Sequence, residues 1–272
     1  MVTLACARGA VSNGRFGAAL GRAFFAGAFA LPGAALLLRV ATVPDLSAQP
    51  HPKLSVNACI HGFYAVLDRA DETLALQLVS LDGAGARVLQ LRLKHSTPQE
   101  LRAAAAMARA VTRQHGAALI INDDVELALS VGAEGVHLGQ TDLPIMAARE
   151  RVMAHRAALP SAVAAELAPF WIGISTHTPA QVTAACRSGA DYIGCGPVFA
   201  TTTKANPEPV IGLIGLRNAC TLATVPVVAI GGISDVQATA IYAAGAHAIC
   251  AISAVNNAAD VAAAGRLLAR QF

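Results

Sequence analysis

A single (β/α)₈ barrel with an N-terminal extension is the fold class this sequence predicts, on three observations. Short apolar, β-branched runs alternate with longer stretches of helical spacing. Eight such runs occur. They fill about 210 residues, the size of a compact TIM barrel. The runs are Phe63–Leu67, Val88–Leu91, Ala118–Ile121, Gly135–Leu138, Ile172–Ser175, Tyr192–Gly194, Val227–Ile230 and Ala248–Ile252. Strands that alternate with helices imply a parallel sheet, because each crossover must return along a covering helix.

The helix starts carry their own signals. Thr97-Pro98 opens a helix predicted to run to His115, with proline at the first helical position and Glu100 at the third. Its Leu101, Ala104, Ala105, Ala108 and Val111 form one apolar stripe. Thr178-Pro179 and Ser234-Asp235 open two more. The rival fold, an open doubly wound sheet, would usually carry a glycine-rich turn after the first strand. Asp68-Arg69-Ala70 is no such turn.

Composition narrows the function. The chain has 272 residues, 55% of them hydrophobic and only 14% charged, so it can bury a large core. Aromatic residues make up 4%, too few for the stacking platforms of single-strand nucleic-acid binders. The net charge of +3 comes without a Lys/Arg run, so neither a nucleic-acid arm nor a membrane-binding patch is expected. The six cysteines form no C-x-x-C pair and suit a reducing cytoplasm.

Residues 1–60 read differently from the rest and are expected to be a poorly ordered extension; the catalytic barrel is placed at 61–272. Arg8, Arg15 and Arg22 precede an apolar run from Ala23 to Leu38, as in a secretory signal. Pro32 breaks that run and Arg39 ends it, short of the roughly 20 apolar residues that span a bilayer.

In such a barrel the polar residues at the C-terminal ends of the strands point at the active site. Gln90, Arg92 and Lys94 alternate onto one face after the second run, offering an amide and two cations. Arginine presents paired donors to phosphate, and lysine a point charge. The third and fourth runs end in Asn122-Asp123-Asp124 and Gln140-Thr141-Asp142. Acids on neighbouring strands suit Mg²⁺, which takes one or two carboxylates beside waters and substrate phosphate. Helix capping would account equally for Asp124 and for Asp142 taken singly. His137 reads as a core imidazole. Thr201, Thr202, Thr203 and Lys204 follow the sixth run, on a loop that could close over substrate. Gly231-Gly232 after the seventh run and Ser253 after the eighth occupy the usual phosphate position of this fold. The rim therefore offers two anion sites, one of them metal-assisted.

In order along the chain, Gln90-Leu91-Arg92-x-Lys94, Ile121-Asn122-Asp123, Gly135-Val136-His137-Leu138-Gly139-Gln140-x-Asp142, Gly173-Ile174-Ser175, Gly194-x-Gly196-Pro197-Val198-Phe199, Thr201-x-Thr203-Lys204 and Ala229-Ile230-Gly231-Gly232-Ile233 resemble the thiamine-phosphate synthase family. The resemblance runs from about Phe63 to the C-terminus. It implies a transferase that joins a hydroxymethylpyrimidine diphosphate to a thiazole phosphate, releasing diphosphate and giving thiamine phosphate. It assigns Gln90, Arg92, Lys94, Asn122, Ser175 and Lys204 to the pyrimidine diphosphate, with Lys94, Ser175 and Lys204 catalytic. Asp123 and Asp142 would hold Mg²⁺. Thr201, Thr203, Gly231, Gly232, Ile252 and Ser253 would hold the thiazole phosphate; Thr202, between the two threonines, is a substrate-binding candidate from the hydroxyl loop alone. The partners are then small molecules, and a homo-oligomer stays open. The segment from Arg151 to Phe170 is longer than the family needs.

Two alternatives remain. The sister family of thiazole tautomerases shares the barrel and uses a histidine after the fifth strand, where His177 stands. It needs no metal-bound diphosphate site. A non-catalytic regulator binding a phosphorylated metabolite could keep the glycine turn and lose the acids and lysines.

Overall fold

The computed structural model describes residues 54–80, 82–201 and 208–269. The chain divides into Met1–Thr42 and Val43–Phe272. The apolar run Ala23–Leu38 and the loop residues Thr202, Thr203 and Lys204 lie outside the described residues.

The elements follow in the order α1 (Val56–Cys59), β1 (Gly62–Leu67), α2 (Glu72–Val79), β2 (Val88–Leu91), α3 (Pro98–His115), β3 (Ala118–Asn122), α4 (Val125–Ser130), β4 (Gly135–Leu138), α5 (Ile145–Ala157), α6 (Ser161–Glu166), β5 (Trp171–Thr176), α7 (Pro179–Arg187), β6 (Tyr192–Cys195), α8 (Gly212–Leu222), β7 (Val227–Ile230), α9 (Ala238–Ala243), β8 (Ala248–Cys250), α10 (Ile252–Asn256) and α11 (Val261–Ala269). The strands close into one barrel in sequence order, all parallel, with β8 pairing to β1 through Gly62–Ala248. This is the expected (β/α)₈ fold. No described helix is long and apolar enough to cross a membrane.

Helix starts behave as their sequences demand. Thr97 and Thr178 each form a capping box, with proline following directly. Helix α3 ends at His115 because Gly116 takes the left-handed conformation, φ 64°. Ser234-Asp235 opens a single 3₁₀ turn before α9 rather than the helix itself. The eighth run is shorter than expected: β8 stops at Cys250, and Ile252 belongs to α10. Arg151 to Phe170 holds the end of α5 and the short helix α6. Arg156 bonds to the Ala168 carbonyl, and Arg149 to the Phe170 carbonyl at 2.7 Å, so the added length is tied to the barrel.

Strand parity divides the core into two layers. One cluster packs helices on the outer face of the sheet. The other fills the barrel with Tyr64, Val66, Val88, Ala118, Ile120, Trp171, Tyr192, Val228, Ala248 and Cys250. Cys59 and Ile60 join this interior cluster, and Leu54 and Val56 pack against it. Val88, Ala118, Trp171 and Ala248 begin their strands, so α1 closes the N-terminal end of the barrel. Residues 54–60 thus pack with the barrel, ahead of the boundary drawn at residue 61.

Below the mouth, Arg109 on α3 reaches Glu134 at 2.9 Å, with both side chains buried. Glu134 also accepts the Leu119 N–H at 2.7 Å. This pair ties α3 to the start of β3 and β4, away from the cavity.

Candidate active site

A cavity of about 560 Å³ opens at the C-terminal ends of the strands. Period-two alternation sends Gln90, Asn122, His137, Ser175 and Ile230 inward, and all of them line it. Arg92, Asp123, Asp142, Thr201, Gly231, Gly232, Ile252 and Ser253 complete the sequence-derived residues on its wall. Lys94 is placed differently. Strand β2 ends at Leu91, so the alternation does not carry on to residue 94; Lys94 is exposed and stands outside the cavity lining.

The acids meet. Asp123 follows β3 with a left-handed φ of 66°, and its N–H donates to the His137 carbonyl at 2.8 Å, pinning it to β4. Asp124 caps α4 by accepting the Leu127 N–H. Capping does not explain Asp142. Helix α5 has no side-chain cap, and Asp142 instead accepts the Gly139 N–H at 2.6 Å. Its carboxyl lies within hydrogen-bond reach of Asp123. Burial, then the neighbouring Asp142 carboxyl, pushes Asp123 up to about 6; Arg92 partly offsets the rise. Two carboxyls held this close favour a shared proton or a shared cation. Among the described residues no cluster of three or more His, Cys, Asp or Glu side chains adds to the pair. The carboxylate pair itself is a donor set that suits Mg²⁺, which completes its shell with water and ligand oxygens.

The opposite wall is built from backbone. Gly231 and Gly232 have φ values of 100° and 64°. A Cβ on Gly231 would stand 2.6 Å from Pro197 Cα, and one on Gly232 would stand 2.3 Å from the Ala200 carbonyl oxygen. Glycine is required here by both conformation and space. Ile252 and Ser253 open α10 beside this turn.

Four wall residues escaped the sequence reading. Tyr64 and Tyr192 form the floor, joined hydroxyl to hydroxyl at 2.9 Å. His137, read as core, lines the cavity instead, with Nε2 3.0 Å from Ser175 Oγ. Glu208 also borders it. The alternation of β1 and β6 was the signal that could have found the tyrosines. His177, which stands just after the fifth strand, also lines the cavity, with Nδ1 2.5 Å from the Gly196 carbonyl. Burial pushes the Cys250 thiol up to about 12, which argues against thiolate chemistry on this wall.

Fold and cavity together define a (β/α)₈-barrel enzyme with its site at the C-terminal ends of the strands. Residues 63–255 match the thiamine monophosphate synthase family. The chain is 42% identical over 184 residues to the thiamine-phosphate synthase of Chloroflexus aurantiacus, covering 68% of this chain and 78% of that one. It is 43% identical over 190 residues to the thiamine-phosphate synthase of Methanospirillum hungatei, covering 70% and 85%. A solved structure of thiamine phosphate pyrophosphorylase from Pyrococcus furiosus superposes with a TM-score of 0.66 at 32% identity, over 78% of this chain and 95% of that one. The chain belongs to the thiamine monophosphate synthase family.

Proposed function

We propose that this chain condenses 4-amino-2-methyl-5-hydroxymethylpyrimidine diphosphate with thiazole phosphate, giving thiamine phosphate and diphosphate. The observation that carries the reading is the opposition, across one cavity, of the Asp123/Asp142/Arg92 wall and the Gly231-Gly232 turn. One wall suits a diphosphate with its metal, the other a phosphate monoester. The two substrates then face each other between them.

The reaction breaks the bond between the pyrimidine methylene carbon and the diphosphate oxygen, whose electron pair leaves with diphosphate. The thiazole nitrogen lone pair forms the new carbon–nitrogen bond. Arg92, Asn122 and Ser175 hold the departing diphosphate through charge-assisted and neutral hydrogen bonds. Gln90, Lys94 and Lys204 are assigned to the same substrate, Lys94 from outside the cavity wall. Thr201, Thr203, Gly231, Gly232, Ile252 and Ser253 hold the thiazole phosphate, with Thr202 a substrate-binding candidate on the same loop. Asp123 and Asp142 would bind Mg²⁺, which would supply positive charge to the leaving diphosphate. The buried floor keeps water from the cationic carbon.

A second reading, thiazole tautomerisation, draws on His177. Its Nδ1 is engaged by Gly196, which fixes the ring and presents Nε2 for proton transfer. The test is to incubate the full-length protein with both phosphorylated halves and Mg²⁺. Thiamine phosphate and diphosphate appearing in equal amounts support the synthase. Thiazole isomerisation without diphosphate release overturns it.

A further inference from the structure

Beneath the cavity, five side chains from five strands form one hydrogen-bonded chain through the barrel. Gln90 Nε2 donates to the Tyr64 hydroxyl at 3.0 Å. The Tyr64 and Tyr192 hydroxyls stand 2.9 Å apart. His137 Nδ1 is 3.1 Å from the Tyr192 hydroxyl, and His137 Nε2 is 3.0 Å from Ser175 Oγ. The glycines around it make room. A Cβ on Gly173 would stand 2.1 Å from Tyr192 Cζ, and one on Gly194 would stand 3.2 Å from His137 Cε1.

Counting protons gives this chain a direction. Tyr192 is 0% and Tyr64 3% exposed at the cavity floor, so protein groups are the partners of both phenols. Burial pushes both phenols well up, so each keeps one proton to place. Tyr64 accepts from the Gln90 amide, and its own proton has one acceptor among the described residues, the Tyr192 oxygen. Tyr192 must then donate onward, to His137 Nδ1. That nitrogen is therefore the lone pair of the ring. The ring proton sits on Nε2 and is donated to Ser175 Oγ. A ring protonated at both nitrogens would strand a buried phenol proton, at the cost of an unmade hydrogen bond. Ser175 thus receives a proton from below and has its own left to donate into the cavity.

We propose that Tyr64, Tyr192 and His137 are positioning residues that hold His137 in the Nε2–H form and aim the Ser175 hydroxyl, as a donor, at a phosphate oxygen of the substrate. The last clause rests on the synthase reading; the tautomer does not. Without this chain a serine hydroxyl rotates freely and is as ready to accept as to donate.

The tautomer is read by nitrogen-15 NMR on the ligand-free, full-length protein, with the His137 signals identified by their loss in His137→Gln. The expected spectrum has the proton on Nε2 and the lone pair on Nδ1. A proton on Nδ1 would reverse the chain and overturn the proposal, whatever reaction the protein catalyses. Activity gives a second, separate readout. Tyr192→Phe removes one oxygen from the floor and is expected to lower kcat roughly tenfold to a hundredfold, the usual range for an outer hydrogen-bond partner. In a Ser175→Ala background the same change is expected to do nothing further, because the residue acts through Ser175. An equal loss in both backgrounds would mean a merely structural role and would overturn the proposal. If neither variant folds, the spectrum of the unaltered protein still decides.

Discussion

The carboxyl of Asp123 lies within hydrogen-bond reach of the carboxyl of Asp142, although the two residues come from loops after different strands. The pairing follows from the parallel register of β3 and β4, in which Asn122 pairs with His137. Two acids are left side by side at the next turn of each chain.

This pair makes stability and metal binding depend on pH in opposite senses. Burial and Asp142 raise Asp123 from its ordinary 3.8 to about 6. Between those values the folded chain holds a proton that the unfolded chain has released, so metal-free stability falls as pH rises through the window. Mg²⁺ competes with that proton. Thermal melts should therefore show a larger Mg²⁺-induced rise in Tm above about pH 7 than at about pH 5. A rise independent of pH would argue against the two acids as the metal site.

Arg92 is expected to act through its planar fork as well as its charge. Arg92→Lys keeps the charge beside Asp123 and loses the paired donors. Losing one charge-assisted hydrogen bond costs about 1.5–3 kcal/mol, or roughly tenfold to a hundredfold in affinity. Calorimetric titration with diphosphate and Mg²⁺ should show that weakening, with the fold intact by circular dichroism.

Gly232 should separate the two substrates. With φ at 64° and the Ala200 carbonyl oxygen 2.3 Å from any Cβ, Gly232→Ala must displace the turn. The KM for thiazole phosphate is expected to rise by about tenfold or more, the effect of a lost or misplaced phosphate donor. The KM for the pyrimidine diphosphate should change little. Equal rises would place both substrates on the glycine turn.

Arg109 and Glu134 test the scaffold apart from the chemistry. Glu134→Ala leaves the guanidinium of Arg109, 3% exposed, without its carboxylate. Breaking such a buried pair costs about 3–5 kcal/mol. Urea unfolding should show the loss directly, while activity per folded molecule is unchanged.

Most of the barrel was legible because a parallel barrel writes each strand as a short β-branched run. The errors lie where that pattern stops. Ile252 looks like a strand residue and belongs to a helix, since apolar content alone does not mark an end. Lys94 shares parity with Gln90 and Arg92, yet β2 has ended three residues earlier. Inward-facing acids and glycines were found because they are out of place at a strand end. Tyr64 and Tyr192 were missed for the converse reason. Strand alternation turns both inward, but as buried aromatics they match ordinary core, and their hydroxyl contacts across the barrel are what set them apart. Such contacts join residues 128 positions apart, a separation no local pattern records.

The most direct measurement is diphosphate release against Mg²⁺ concentration, with both substrates saturating, for the unaltered protein and for Asp123→Asn and Asp142→Asn. Saturable Mg²⁺ dependence is predicted for the unaltered protein. A loss on the order of a hundredfold or more, typical for removal of charge stabilisation at a leaving group, is predicted for each variant, with a metal-free Tm no lower than that of the unaltered protein. Turnover in both variants equal to that of the unaltered protein would contradict the account.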